Sequence, residues 1–84
     1  MSSEQTPREI TLLVRSGCHL CQAAIATLNE VTSRLDYTWQ KIDIDQDAEL
    51  LARHSEEVPV LLVDGRVRDF WVIDAQRLEA LLTS

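Results

Sequence analysis

A chain of 84 residues has room for one small domain, and with 45% apolar residues it can pack a single core. Eight basic residues stand against fourteen acidic ones, for a net charge of −6. With no run of Lys or Arg, nucleic acid and anionic membrane are excluded as main partners. Two cysteines, two glycines and two prolines likewise exclude a disulfide-dense scaffold, a collagen-like chain and a flexible linker.

Met1–Arg8, with Ser2, Ser3, Gln5 and Pro7, reads as a disordered tail, and residues 9–84 read as the domain. No apolar stretch approaches the roughly 18 residues of a membrane span. The N-terminus lacks the basic and apolar regions of a secretory signal, so the expected compartment is the cytoplasm. Ile10–Val14 is a short apolar run ended by Ser16-Gly17 and predicts a strand buried on both faces. From His19 to about Leu35 the period lengthens. Leu20, Ala24, Leu28, Val31 and Leu35 recur every three or four residues, which predicts an amphipathic helix that Asp36 ends.

Tyr37–Ile44 alternates and predicts a second strand. Asp45 or Asp47 can cap a short helix running to about His54. Pro59–Val63 predicts a third strand, Asp64-Gly65 a two-residue hairpin turn, and Arg66–Val72 a fourth strand. Asp74 caps a last helix with Leu78, Leu81 and Leu82 facing inward. The order βαβαββα, with a right-handed first crossover, gives an α/β fold: a mixed four-stranded sheet with helices on both faces.

Cys18-His19-Leu20-Cys21 falls where the first strand hands over to the first helix. Unpaired amides at a helix N-terminus favour an anion, so a thiolate is stabilised there. The two-residue spacing puts the second thiol one turn in, within reach of a mixed disulfide on the first. Cys18 is therefore the expected nucleophile and Cys21 the resolving thiol, with Arg15 and His19 as positive neighbours of Cys18. A bridge across so short a loop restrains little unfolded chain, so a structural purpose is weak. A closed zinc site needs about four ligands, and beyond the pair only His19 and His54 remain. No metal site is expected within one chain. The Asp43–Asp47 segment fails as a calcium loop, with Ala48 where glycine is needed and His54 where the bidentate glutamate belongs.

The strand–Cys-x-x-Cys–helix opening, Val58-Pro59 before the third strand and the element order together resemble the thioredoxin superfamily. The short length resembles its glutaredoxin branch, and small glutaredoxin-like bacterial proteins in particular. The resemblance implies a thioredoxin-like fold and a redox-active Cys18–Cys21 disulfide that serves cell redox homeostasis. It also implies a cis peptide bond before Pro59 and a Val58 backbone that pairs with the substrate chain like an added strand. By the same resemblance Arg15 takes the place of a lysine that contacts the glutathione carboxylate. Three departures stand beside it. His19-Leu20 replaces the usual dipeptide, and Glu57 stands where threonine is usual. Asp69-Phe70-Trp71-Val72-Ile73-Asp74 lacks the Gly-Gly-x-Asp that lets backbone amides approach glutathione.

The expected function is a monomeric glutaredoxin-like thiol–disulfide oxidoreductase acting on protein or small-molecule disulfides. It needs no bound cofactor and is reset by glutathione or another low-molecular-weight thiol, with glutathione expected to be poor or non-selective. Two alternatives are a non-catalytic thioredoxin-fold binding module and an iron–sulfur cluster carrier using Cys18 in a dimer. Of the adjacent Phe70 and Trp71, which point opposite ways on a strand, one is expected in the core and the other in an exposed apolar spot near the site, and Trp71 is a candidate substrate contact.

Overall fold

The computed structural model describes residues 8–83. The elements are β1 (Ile10–Val14), α1 (His19–Leu35), β2 (Gln40–Asp43), a 3-10 turn (Ile44–Gln46), α2 (Ala48–His54), β3 (Val60–Val63), β4 (Arg66–Phe70) and α3 (Ala75–Thr83). The sheet order is β2-β1-β3-β4. β1 and β2 are parallel, with Leu12 opposite Lys41 and Val14 opposite Asp43. β3 runs antiparallel to both β1 and β4, with Leu13 opposite Val60 and Val60 opposite Phe70. The expected α/β fold, a mixed four-stranded sheet with helices on both faces, is the fold observed.

β1 is central, and its side chains alternate between two cores. Ile10, Leu12 and Val14 pack with Cys21, Leu28 and Val31 of α1 and Leu78 and Leu82 of α3. Leu13 packs on the other face with Ile44 and Val60, under Leu50 and Leu51 of α2. Burying a leucine such as Leu12, Leu28 or Leu78 contributes about 1.5–3 kcal/mol. Leu20, assigned to the inner stripe of α1 by its period, is instead exposed. It lies in the first turn, beyond the sheet, and Cys21 takes the buried position.

Strand ends differ from the sequence expectation where side chains find better partners outside the ladder. β2 is shorter than Tyr37–Ile44. Tyr37 and Trp39 pack against the main core, the Tyr37 hydroxyl donates to Leu82 O at 3.1 Å, and Trp39 Nε1 donates to Asn29 Oδ1 at 3.1 Å. β4 stops at Phe70 because Trp71 adopts a left-handed conformation, φ 66°. The hairpin turn is as expected, with Asp64 and Gly65 both at positive φ, 55° and 82°. Asp64 also clasps the start of the domain: its Oδ1 accepts from Glu9 N at 2.9 Å, and Arg8 pairs with its Oδ2 at 3.1 Å. The tail expected over 1–8 lies outside the described residues as far as residue 7.

The acidic segment after β2 is a series of caps. Asp43 accepts from Asp45 N, and Asp47 from Glu49 N and Leu50 N, which starts α2.

Candidate active site

β1 leads directly into the thiol pair. Gly17 turns the chain at φ 74°, a conformation that carries no steric cost for glycine. Cys18 is the N-cap of α1, in extended geometry, and its Sγ accepts from Cys21 N at 3.1 Å. A cap position usually held by Ser or Asp oxygen is thus filled by sulfur, so a helix-end amide points at the atom that would carry the charge. The first turn of α1 has no acidic residue to oppose that charge. His19 opens the helix with an exposed side chain.

The two thiols differ in environment. Cys18 is partly buried, whereas Cys21 is 2% exposed. Burial, then the hydrogen bond with Cys18, pushes the Cys21 thiol up to about 11, and a backbone hydrogen bond from Arg15 pulls weakly the other way. Both cysteines are free.

Beside the pair lies a hollow of about 230 Å³ lined by Arg15, Cys18, Cys21, Gln22, Lys41 and Asp43 among others. Arg15 reaches it, but its guanidinium is engaged: Nε meets Asp45 Oδ1 at 2.9 Å and Nη1 meets Ser55 O at 3.5 Å. Lys41 and Asp43 are site residues that sequence reasoning missed. The signal was present, because the C-terminal ends of adjacent parallel strands are where α/β sheets gather their ligands, and β2 was expected beside β1.

The other side of the site comes from β3 and β4. Antiparallel pairing of Leu13 with Val60 puts Pro59 at the same sheet end as Gly17 and Cys18. The Val58–Pro59 peptide bond is cis, Pro59 is fully buried and Val58 is half-buried. Pro59 O accepts from Trp71 N at 2.8 Å, and the Trp71 indole Nε1 donates to Glu56 O at 3.1 Å. Phe70 stands edge-on to Trp71 with ring centroids 5.0 Å apart.

The expectation that one of these aromatics enters the core is corrected: Phe70 is 45% exposed and Trp71 52%. The inward position on β4 belongs to Asp69, 7% exposed, which no sequence pattern suggested. Its carboxylate accepts from Phe70 N at 3.0 Å and Asp74 N at 3.4 Å and pairs with Arg77 at 3.1 Å. Asp74 caps α3 by accepting from Gln76 N and Arg77 N. Its carboxylate is thus committed to the helix.

Among the described residues, no group of three or more His, Cys, Asp or Glu side chains could hold a metal ion, and no helix is long and apolar enough to cross a membrane.

A mixed sheet with helices on both faces and a Cys-x-x-Cys at the mouth of α1 defines a thioredoxin-fold protein. Residues 9–83 match the glutaredoxin-like domain family (DUF836), and the chain belongs to that family. It is 35% identical over 77 residues to an uncharacterized protein of Mycobacterium tuberculosis, covering 86% of this chain and 79% of the relative. The crystal structure of protein XcR50 from X. campestris is 36% identical with a TM-score of 0.73, covering 87% of this chain and 93% of that one. The solution structure of protein Ne2328 from Nitrosomonas europaea is 27% identical with a TM-score of 0.81, covering 99% and 100%. A thioredoxin from Halobacterium salinarum aligns at 22% identity with a TM-score of 0.68, covering 90% of this chain and 72% of that one, a likeness of fold alone.

Proposed function

We propose that this protein is a thiol–disulfide oxidoreductase of reducing compartments such as the cytoplasm. The Cys18 sulfur attacks a substrate disulfide R–S–S–R′, forms Cys18–S–S–R and releases R′S⁻, which takes a proton from solvent. Cys21 then loses its proton, attacks Cys18 Sγ and releases RS⁻, which leaves the Cys18–Cys21 disulfide. The substrate gains two electrons and the dithiol loses them. Two molecules of a low-molecular-weight thiol, or a reductase dithiol, return those electrons.

The observation that carries this reading is the sulfur cap. Cys18 Sγ accepts a helix-end amide, while the thiol behind it is buried and held in its protonated form. A nucleophile and a resolving group need this division of roles. Glutathione is a poor or non-selective reductant in this proposal, because the segment that would expose backbone to it carries Phe70, Trp71 and Val72 instead. Substrate contacts fall to Val58, Pro59, His19 and Trp71 around the cysteine, with Arg15 fixed to Asp45.

The test is the redox equilibrium of the Cys18–Cys21 pair against glutathione, read by mass after trapping, with disulfide turnover measured alongside. A reversible two-electron couple with turnover is expected. A pair that oxidises but never turns over would reject the enzymatic reading.

A further inference from the structure

Apart from the hollow beside the thiols there is another of about 460 Å³, lined by Ala52, Arg53, Ser55, Glu56, Glu57 and Trp71. The two share no lining residue. Trp71 lines this hollow and is about half exposed overall, yet both its backbone N–H and its indole N–H are held, by Pro59 O and Glu56 O. It is a fixed aromatic face, already ordered before anything binds, so docking on it costs little side-chain entropy.

The charge beside that face is acidic. Glu57 lies 2.9 Å from His54, and Arg53 reaches back to Glu49 at 3.7 Å. Glu56 is exposed and makes no ion pair among the described residues. An indole face next to an uncompensated carboxylate suits one kind of group, a cation on a hydrocarbon stem.

We propose that this hollow seats a Lys or Arg side chain of a polypeptide disulfide, close in sequence to the cysteine that Cys18 attacks. The inference rests on Cys18 as nucleophile and adds the substrate class. Register puts Cys18, Pro59 and Phe70 at one end of the sheet, so a chain crossing Val58 and Pro59 reaches from the sulfur to the indole. An anionic disulfide such as oxidised glutathione gains nothing from Glu56.

Short synthetic peptides test this, each with one cysteine in mixed disulfide with a chromophoric aryl thiol and with Arg, norleucine or Glu stepped through the flanking positions. The wild-type protein should give kcat/KM about 5- to 10-fold higher for the best Arg peptide than for its Glu counterpart, and high salt should narrow the ratio. The charge-reversing variant Glu56→Lys, exposed and free of structural hydrogen bonds from its side chain, should bring the ratio to one or below. Trp71→Ala should lower kcat/KM for the Arg and norleucine peptides together. Equal rates for Arg and Glu peptides at every position would overturn the proposal, as would a ratio that Glu56→Lys leaves unchanged.

If no peptide releases its aryl thiol, the oxidoreductase reading fails by itself. The hollow is then judged by affinity, measured calorimetrically on the Cys18→Ser protein with serine-containing peptides. Tighter binding of Arg than Glu peptides upholds it, and equal binding rejects it.

Discussion

Cys18 takes its position from residues within three of it in the chain: Gly17 turns the backbone, and the Cys21 amide fixes the sulfur. Trp71, at the same end of the sheet, takes its position from residues far along the chain. Pro59 and Glu56 hold it directly, while Asp69 and Arg77 hold the turn that carries it. The first arrangement is local and comes with any helix that starts at Cys18. The second exists only once β3, β4 and α3 have packed. The contacts that fix Cys18 and those that fix Trp71 thus share no residue, which predicts that changes on one side leave the other in place.

The sharpest break in that comparison is at the sulfur itself. Cys18→Ser should reduce disulfide turnover to background, a loss above about 1,000-fold, because the remaining thiol is buried and protonated. Cys21→Ser should keep the first step and stall as a mixed disulfide on Cys18, visible as an adduct by mass spectrometry. Turnover by Cys18→Ser at even a tenth of the wild-type rate would mean that the roles are reversed.

The two thiols should also separate under alkylation. With its thiol pushed up to about 11, Cys21 is thiolate on the order of one part in ten thousand at neutral pH. Iodoacetamide should therefore modify Cys18 in Cys21→Ser faster than Cys21 in Cys18→Ser, where burial alone still holds the thiol up. The same shift has a sign for stability. Cys21 binds its proton more tightly folded than unfolded, so its contribution is complete below the unfolded value of 9.0 and is lost as pH rises through about 11. Denaturant midpoints of the reduced protein should fall across that window and fall less in Cys21→Ala. Equal slopes in the two proteins would remove Cys21 as the cause.

On the other side of the site, Asp69→Asn should cost about 1.5–3 kcal/mol, since a buried charged acceptor with three donors is weakened. Thermal unfolding should drop by on the order of 10 °C, while the alkylation rate of Cys18 stays within a factor of about two. A large change in that rate would show that the two regions are coupled. The smallest effect is expected from Asp74→Ala, which removes a local cap and costs about 1 kcal/mol. Melting curves that rank it above Asp69→Asn would contradict the assignment of Asp69 as the clamp.

The same division explains what the sequence made legible. β1, α1 and the thiol pair were readable because period, turn glycine and cap lie side by side in the chain. Asp74-Ala75 and Asp64-Gly65 announced their helix and hairpin for the same reason. Asp69 was not readable. An aspartate in a strand reads as solvent-facing, and its burial depends on donors that the strand pattern does not show, the Phe70 and Asp74 amides and the Arg77 guanidinium. Trp71 left the strand alternation through a positive φ that nothing in Phe70-Trp71-Val72 signals. Arg15 was legible as the residue that follows β1, but its engagement with Asp45 depends on how the chain returns thirty positions later.

The Asp64 clasp has a practical reading. It draws Arg8 and Glu9 against the β3–β4 turn, and antiparallel pairing sets that turn at the pole of the sheet opposite Cys18 and Pro59. Any tag or carrier attached upstream of residue 8 therefore joins the body about one strand length from the thiols, on the order of 17 Å for five residues. That separation makes the same end the natural place to tether the protein when testing whether it forms mixed disulfides with other proteins.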